Sequence, residues 1–221
     1  MVSKGGYKRR SMYGTVPVSF QFIQQLVDKV DKTKYGSDLK LRNKALIVLL
    51  YYSARRISEI VGRTLELKNG TVDKWRGVTV KDFRFDTRNG RDIMVMRVRI
   101  LKKGKAKADS IRNVYREVIM RCDWPLMDLF LDWFDVCEEE GPDTKLFDIN
   151  RTRAYQILKE LDKRVVGNHW LRHQRLSHMA EHLNPFELNE RIGFWERLDP
   201  AISYVHGRIA TYLDAGDKAV Q

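Results

Sequence analysis

Asn168-His169-Trp170-Leu171-Arg172-His173 opens, and Gly193-Phe194-Trp195 with Ser203-Tyr204-Val205-His206 closes, the stretch on which the reading of this chain rests. All five histidines fall between His169 and His206, together with Arg172, Arg175, Arg191 and Arg197. Imidazoles, guanidiniums and a phenol gathered this way fit a site for an anion that passes through a charged transition state. The plainer alternative is a basic helical surface with a few core aromatics. Periodicity predicts helices over Trp170–His182, Pro185–Ile192 and Pro200–Leu213. Asn184-Pro185 and Asp199-Pro200 serve as cap-plus-first-turn starts.

Working outward, Asn150 caps a helix expected to run to about Val165, and Gly167 separates it from the focal stretch. Before it, Leu126, Leu129, Phe130, Trp133, Phe134 and Cys137 recur at core spacing in a helix over Trp124–Glu139, ended by Gly141-Pro142. Between Gly77 and Tyr115 the period drops to two. Val78, Val80, Phe83 and Phe85 form one strand region, Ile93 to Ile100 a second, and Ile111 to Tyr115 a third. Asn89-Gly90 is a hairpin signal, because both positions tolerate positive φ. Lys102-Lys103-Gly104-Lys105-Ala106-Lys107 then reads as a basic β-turn projecting from a small three-stranded antiparallel sheet. Four lysines in six residues at a glycine turn suit a phosphate backbone.

Near the start, Phe20, Ile23, Leu26, Val27 and Val30 define an amphipathic helix behind Pro17, with Ser19 as its cap. Leu41–Tyr52 carries Ala45 to Leu50 as an unbroken apolar run, so that helix belongs at the centre of the core. Directly after it come Ser53-Ala54-Arg55-Arg56-Ile57-Ser58-Glu59. Two arginines beside a buried helix need an anionic partner, because unpaired buried charge is costly. Either Glu59 fills that role internally or an external anion does. The fold class is therefore α+β, mainly helical, with one small sheet.

The chain holds 41 Lys and Arg against 29 Asp and Glu, a formal charge of +12 over 221 residues, which matches a polyanionic partner. Residues 1–16 carry Lys4, Lys8, Arg9 and Arg10 among small residues and read as a basic flexible arm, with 17–221 as the folded domain. No apolar run long enough to span a membrane and no signal core is present, so a cytoplasmic protein is expected, or one inside a host cell if viral or plasmid-borne. Cys122 and Cys137 lack metal-type spacing and read as core thiols.

Arg56-Ile57-Ser58-Glu59, His169-x-Leu-Arg-His173, Trp195 and Tyr204-x-His206 occur in the order that resembles the tyrosine recombinases, or phage-type integrases, over their catalytic domain. Their first box reads like Thr-Gly-Leu-Arg-Ile-Ser-Glu, so Ala54 stands at the family's glycine and Arg55 at its leucine. The resemblance covers nearly everything from Pro17 onward and implies no N-terminal DNA-clamping domain here. It implies a site-specific recombinase acting on double-stranded DNA through a covalent 3′-phosphotyrosine, without metal or cofactor. The catalytic set would be Arg56, Lys103, His169, Arg172, Trp195 and Tyr204, with Glu59 as a buttress. Arg55, Lys102, Lys105, Lys107 and Arg175 would contact DNA. A homo-oligomer is implied, a dimer on each site and a tetramer in synapsis.

Within that resemblance His169 assists the loss of the Tyr204 proton, and the proton donor to the leaving oxygen is Lys103, with Lys105 as second choice. Tyr204 is preferred over Tyr212 as nucleophile because it follows Trp195 by nine residues. The roles of His173 and His178 stay open. Two other classes compete: a DNA-binding relative without catalysis, and a zinc peptidase built on His178-Met179-Ala180-Glu181-His182.

Overall fold

The computed structural model describes residues 17–66, 70, 72–101, 114–193, 200–202 and 204. Helix α1 spans Phe20–Asp28 and tightens into a 3-10 turn over Lys29–Lys32. Helix α2, Ser37–Ser53, is buried from Ala45 through Ser53. It packs against α4 (Met127–Glu139) and α6 (Trp170–Met179), so the most apolar helix is the central one. Each fully buried aliphatic side chain there contributes about 1.5–3 kcal/mol. Ser19 precedes α1, but its side chain makes no cap bond.

The three-stranded antiparallel sheet has the order β3-β4-β5 in our numbering, with β3 at Phe83–Arg88, β4 at Arg91–Arg99 and β5 at Tyr115–Arg121. Asn89 (φ 52°) and Gly90 (φ 70°) close the β3–β4 hairpin in the conformation that the dipeptide predicts. Phe83 pairs with Met96 and Arg88 with Arg91. Phe83, Phe130 and Phe134 then lock the sheet onto α4, with ring centroids 5.5 Å apart for Phe83–Phe134 and 5.6 Å for Phe83–Phe130.

Several boundaries differ from expectation. The strand expected from Val78 begins only at Phe83, because Asp82 takes the Thr79 N–H (2.8 Å) and hydroxyl (2.9 Å) and turns Val80–Asp82 into a 3-10 segment. The third strand is described over Tyr115–Arg121, and its expected start at Ile111 lies outside the described residues. Helix α4 starts at Met127, since Leu126 sits at φ 68°, outside right-handed helical space. Helix α6 stops at Met179 rather than His182: Asn184 precedes Pro185 and is held extended at ψ 168°.

An additional two-stranded hairpin, β1 (Arg63–Glu66) with β2 (Val72–Trp75), was not anticipated. Buried Asp73 ties it to the main sheet by accepting from Arg99 of β4 at 2.8 Å, and it also accepts from Arg63 within the hairpin at 3.3 Å. Gly62 and Gly77 bring the end of α3 (Ile57–Val61) against the exit of β2. At Gly62 a Cβ would lie 2.6 Å from the Arg76 and Trp75 backbone. Helix α5 (Arg151–Leu161) begins where Asn150 accepts from the Arg153 N–H at 2.8 Å, as read, but ends before Val165. Cys137 is buried, Cys122 is half-buried, and both are free thiols. Among the described residues no helix is long and apolar enough to cross a membrane.

Candidate active site

The site grows from the sharp reversal between α2 and α3. Ala54 caps α2 in the left-handed conformation (φ 49°, ψ 33°), and the chain then runs extended through Arg56 (φ −72°, ψ 145°) into α3. Glu59, in the first turn of α3, accepts from the Arg56 N–H at 3.0 Å and from its guanidinium at 2.8 Å. Its carboxylate is 0% exposed, whereas the Arg56 side chain keeps 24% of its surface in water. The same carboxylate accepts from the Leu101 N–H at 3.3 Å. Glu59 thus joins the arginine box to the chain immediately before residue 102. Burial pushes this carboxyl up, but Arg55, Arg56 with its N–H, and Arg172 override that and hold it below its ordinary range.

Arg172 enters from α6 and is 5% exposed. Its guanidinium donates to the Ala54 carbonyl and, at 2.9 Å, to the Gly193 carbonyl. One side chain thus bridges the α2–α3 reversal and the π-type turn Asn189–Gly193 that follows α7 (Pro185–Leu188). Burial first and the Arg56 charge second lower Arg172 to about 10, with Glu59 and Tyr204 acting in the opposite direction. It remains a full cation at neutral pH.

His169 precedes α6, and burial, aided by Arg56 and Arg172, lowers its imidazole to about 4. One turn later the His173 N–H donates to the His169 carbonyl at 2.9 Å. The His173 Nδ1 is hydrogen-bonded to the Tyr204 hydroxyl, with the rings 5.8 Å apart. Tyr204 is 9% exposed and packs in a small cluster with Ala54, Leu176, Ala180, Leu188 and Ala201. Residues 200–202 and 204 are helical, in keeping with the helix expected from Pro200.

The structure therefore brings Arg56, Glu59, His169, Arg172 and Tyr204 into one neighbourhood and adds His173. The signal for His173 was present in the sequence, four residues after His169 and so on the same helix face. Two expected DNA contacts lie elsewhere. Arg55 is turned inward at 2% exposure, its Nε donating to the Ser53 carbonyl at 3.0 Å and its terminal nitrogen to the Ile192 carbonyl. Desolvation and neighbouring Arg172 lower its pKa. Arg175 lies over Tyr51, Tyr52 and Trp124 at 5.4, 5.1 and 4.9 Å from their ring centroids. It lines a separate pocket of about 690 Å³. Lys102, Lys103, Lys105, Lys107 and Trp195 lie outside the described residues, as do Tyr212, His206 and the basic arm.

The zinc-peptidase reading does not fit the geometry. His178 Nδ1 is bonded to the Tyr51 hydroxyl at 2.6 Å and Nε2 to the Val18 carbonyl, so both ring nitrogens are engaged. His182 lies beyond the end of α6, not one turn along it. No group of three or more potential metal-binding side chains occurs among the described residues.

The fold is that of the tyrosine recombinase catalytic domain. The XerH site-specific recombinase on its palindromic difH substrate, in a post-cleavage complex, matches with a TM-score of 0.63 at 16% identity, over 94% of this chain and 54% of that one. The XerH pre-cleavage complex with difH matches at 0.58 and 17% identity, over 89% and 52% of the two chains. The XerA recombinase matches at 0.53 and 17% identity, over 90% and 62%. The chain thus spans roughly half to three-fifths of the length of these recombinases. No family model matches the sequence, and no curated protein does.

Proposed function

We propose that this chain cuts and rejoins double-stranded DNA as a site-specific recombinase, through a 3′-phosphotyrosine on Tyr204. The observation that carries this reading is that the buried Arg172 guanidinium lies within electrostatic reach of both Arg56 and the Tyr204 phenol. Fixed N–H donors of this kind stabilise the charge that spreads over the non-bridging oxygens of a phosphodiester under attack. Guanidiniums present paired donors to such oxygens and stay charged at any working pH, so this chemistry needs no divalent metal.

Glu59 fixes Arg56 from behind. His169, with its imidazole neutral at pH 7, assists proton movement around the phosphate. By the resemblance stated above, Lys103 protonates the leaving 5′-oxygen, and Trp195 donates its indole N–H or packs against the nucleophile's helix. Its DNA partner, its action inside the cell and its assembly as dimers and tetramers on that DNA belong to the same proposal. The charge of +12 suits such a partner.

The test is covalent trapping. The protein is incubated with fragmented duplex DNA, denatured, and the attached strands are sequenced. Recovered sites are then rebuilt as nicked suicide duplexes. The expected result is a denaturant-resistant adduct that Tyr204→Phe and Arg172→Ala abolish. An adduct that survives Tyr204→Phe refutes the assignment of the nucleophile. DNA binding with no adduct from the unaltered chain supports a non-catalytic relative instead.

A further inference from the structure

We infer that His173, rather than His169, is the group that takes the Tyr204 proton as the phenol attacks. This rests on the proposed strand-cleavage reaction and assigns one of its steps. The ring nitrogen in contact with the nucleophilic oxygen is the His173 Nδ1. The two rings form a tilted pair, inclined by 31° with centroids 5.8 Å apart, and meet through Nδ1 and the hydroxyl. Tyr204 is held from behind by Ala54, Leu176, Leu188 and Ala201, which restrict its hydroxyl to this neighbourhood. The His173 backbone is fixed in the first turn of α6, its main-chain N–H donating to the His169 carbonyl at 2.9 Å.

A base must be neutral to accept. Among the described residues, the groups facing His173 are Arg172 of α6, His169 just before it, and Tyr204 in the helical stretch after Pro200. Burial first and Arg172 second hold the His173 imidazole below its usual range, so it is unprotonated at pH 7. The His169 imidazole feels the Arg56 and Arg172 charges, whereas the contact with the Tyr204 hydroxyl is made by His173.

The step balances without any added reactant. The phenol O–H bond breaks and its proton passes to Nδ1. The Oη–P bond forms, the bridging P–O bond to the departing strand breaks, and the departing oxygen takes a proton from the Lys103 ammonium. His173 leaves the step as an imidazolium beside Arg172. In the reverse, rejoining step it returns that proton to the phenol.

The experiment uses single-turnover cleavage of the suicide duplex recovered by trapping. His173→Asn keeps a polar acceptor near the Nδ1 position but no proton-accepting ring. Cleavage is expected to slow by about a hundred- to ten-thousand-fold with DNA binding retained. The acid limb of the pH–rate profile is lost in His173→Asn but kept in His169→Asn. A duplex with sulfur at the bridging leaving position, which needs no protonation on departure, does not restore the rate, because the defect lies with the nucleophile. Should His173→Asn fail to fold, His173→Ala supplemented with free imidazole takes its place, and recovery of cleavage is expected. Loss of less than about threefold, retention of the acid limb, or rescue by the sulfur leaving group overturns the assignment. An absence of adduct with the unaltered chain instead refutes the cleavage reaction itself, so the two failures are distinguishable.

Discussion

Glu59→Gln isolates the charge balance on which the site depends. The carboxylate is fully buried and receives the Arg56 guanidinium at 2.8 Å, the Arg56 N–H at 3.0 Å and the Leu101 N–H at 3.3 Å. Arg55 and Arg172 also lie within its electrostatic reach. Gln retains one acceptor oxygen but turns an NH₂ toward donors and leaves three guanidiniums without their shared anion. Breaking a buried pair costs about 3–5 kcal/mol. Arg56 keeps a quarter of its surface in water, so part of its charge is rehydrated and the lower end applies, about 3 kcal/mol. For a chain of this size that is a drop of about 6–12 °C in Tm. Because the folded pKa of Glu59 lies below its unfolded value of about 4.3, its contribution is complete above that value. It is lost as pH falls through the depressed folded value. Urea unfolding of both proteins from pH 7 down to pH 3 should therefore show a gap of about 3 kcal/mol that closes on acidification. A gap below about 0.5 kcal/mol at pH 7, or one that persists unchanged to pH 3, refutes the role of Glu59 as the shared counter-ion.

Other outcomes follow from the same geometry. His169 has its imidazole lowered to about 4, so its ring resonance should titrate there in the free protein and shift upward when a DNA phosphodiester supplies negative charge beside Arg56 and Arg172. The same depression makes its stability contribution complete above the unfolded value of about 6.5 and progressively lost as pH falls toward 4. A midpoint near the unfolded value would show that the ring is solvated. Gly62→Ala places a Cβ 2.6 Å from the Arg76 and Trp75 backbone at φ 92°, and urea unfolding should show a loss on the order of 3 kcal/mol. A loss under about 1 kcal/mol would mean that α3 and the exit of β2 separate easily.

Much of this arrangement is legible because its signals are local. Asn150, Asn184-Pro185 and Asn89-Gly90 act through their own side chains or φ preferences, and each does in the structure what the dipeptide chemistry demands. The apolar run from Ala45 to Leu50 needs no context to become central. The β1–β2 hairpin was missed because Arg63-Thr64-Leu65-Glu66 and Val72-Asp73-Lys74-Trp75 carry little apolar alternation. What holds the hairpin to the sheet is the pairing of Asp73 with Arg99, 26 positions away. Adjacent Arg55 and Arg56 posed a similar difficulty. Composition makes them equivalent, and only the left-handed turn at Ala54 decides that one guanidinium runs inward while the other stays partly in water. Arg175 likewise was read by charge, yet three aromatic rings from α2 and the β5–α4 turn claim it.

The departure of the first box from the family pattern has a physical consequence at Ala54. Left-handed backbone costs an alanine about 1–2 kcal/mol relative to right-handed geometry, a cost that glycine escapes. The structure retains the conformation because two contacts require it. The reversed carbonyl is aimed at the Arg172 guanidinium, and the methyl packs fully buried in the cluster that seats Tyr204. Arg172 donates with its other terminal nitrogen to Gly193, where the turn after α7 ends. Arg172 is thus both the cation and the brace: the bonds that orient it also fix the α2–α3 reversal against the Asn189–Gly193 turn. A substitution at Ala54 that shifted its carbonyl would displace the Arg172 charge and the seat of Tyr204 together.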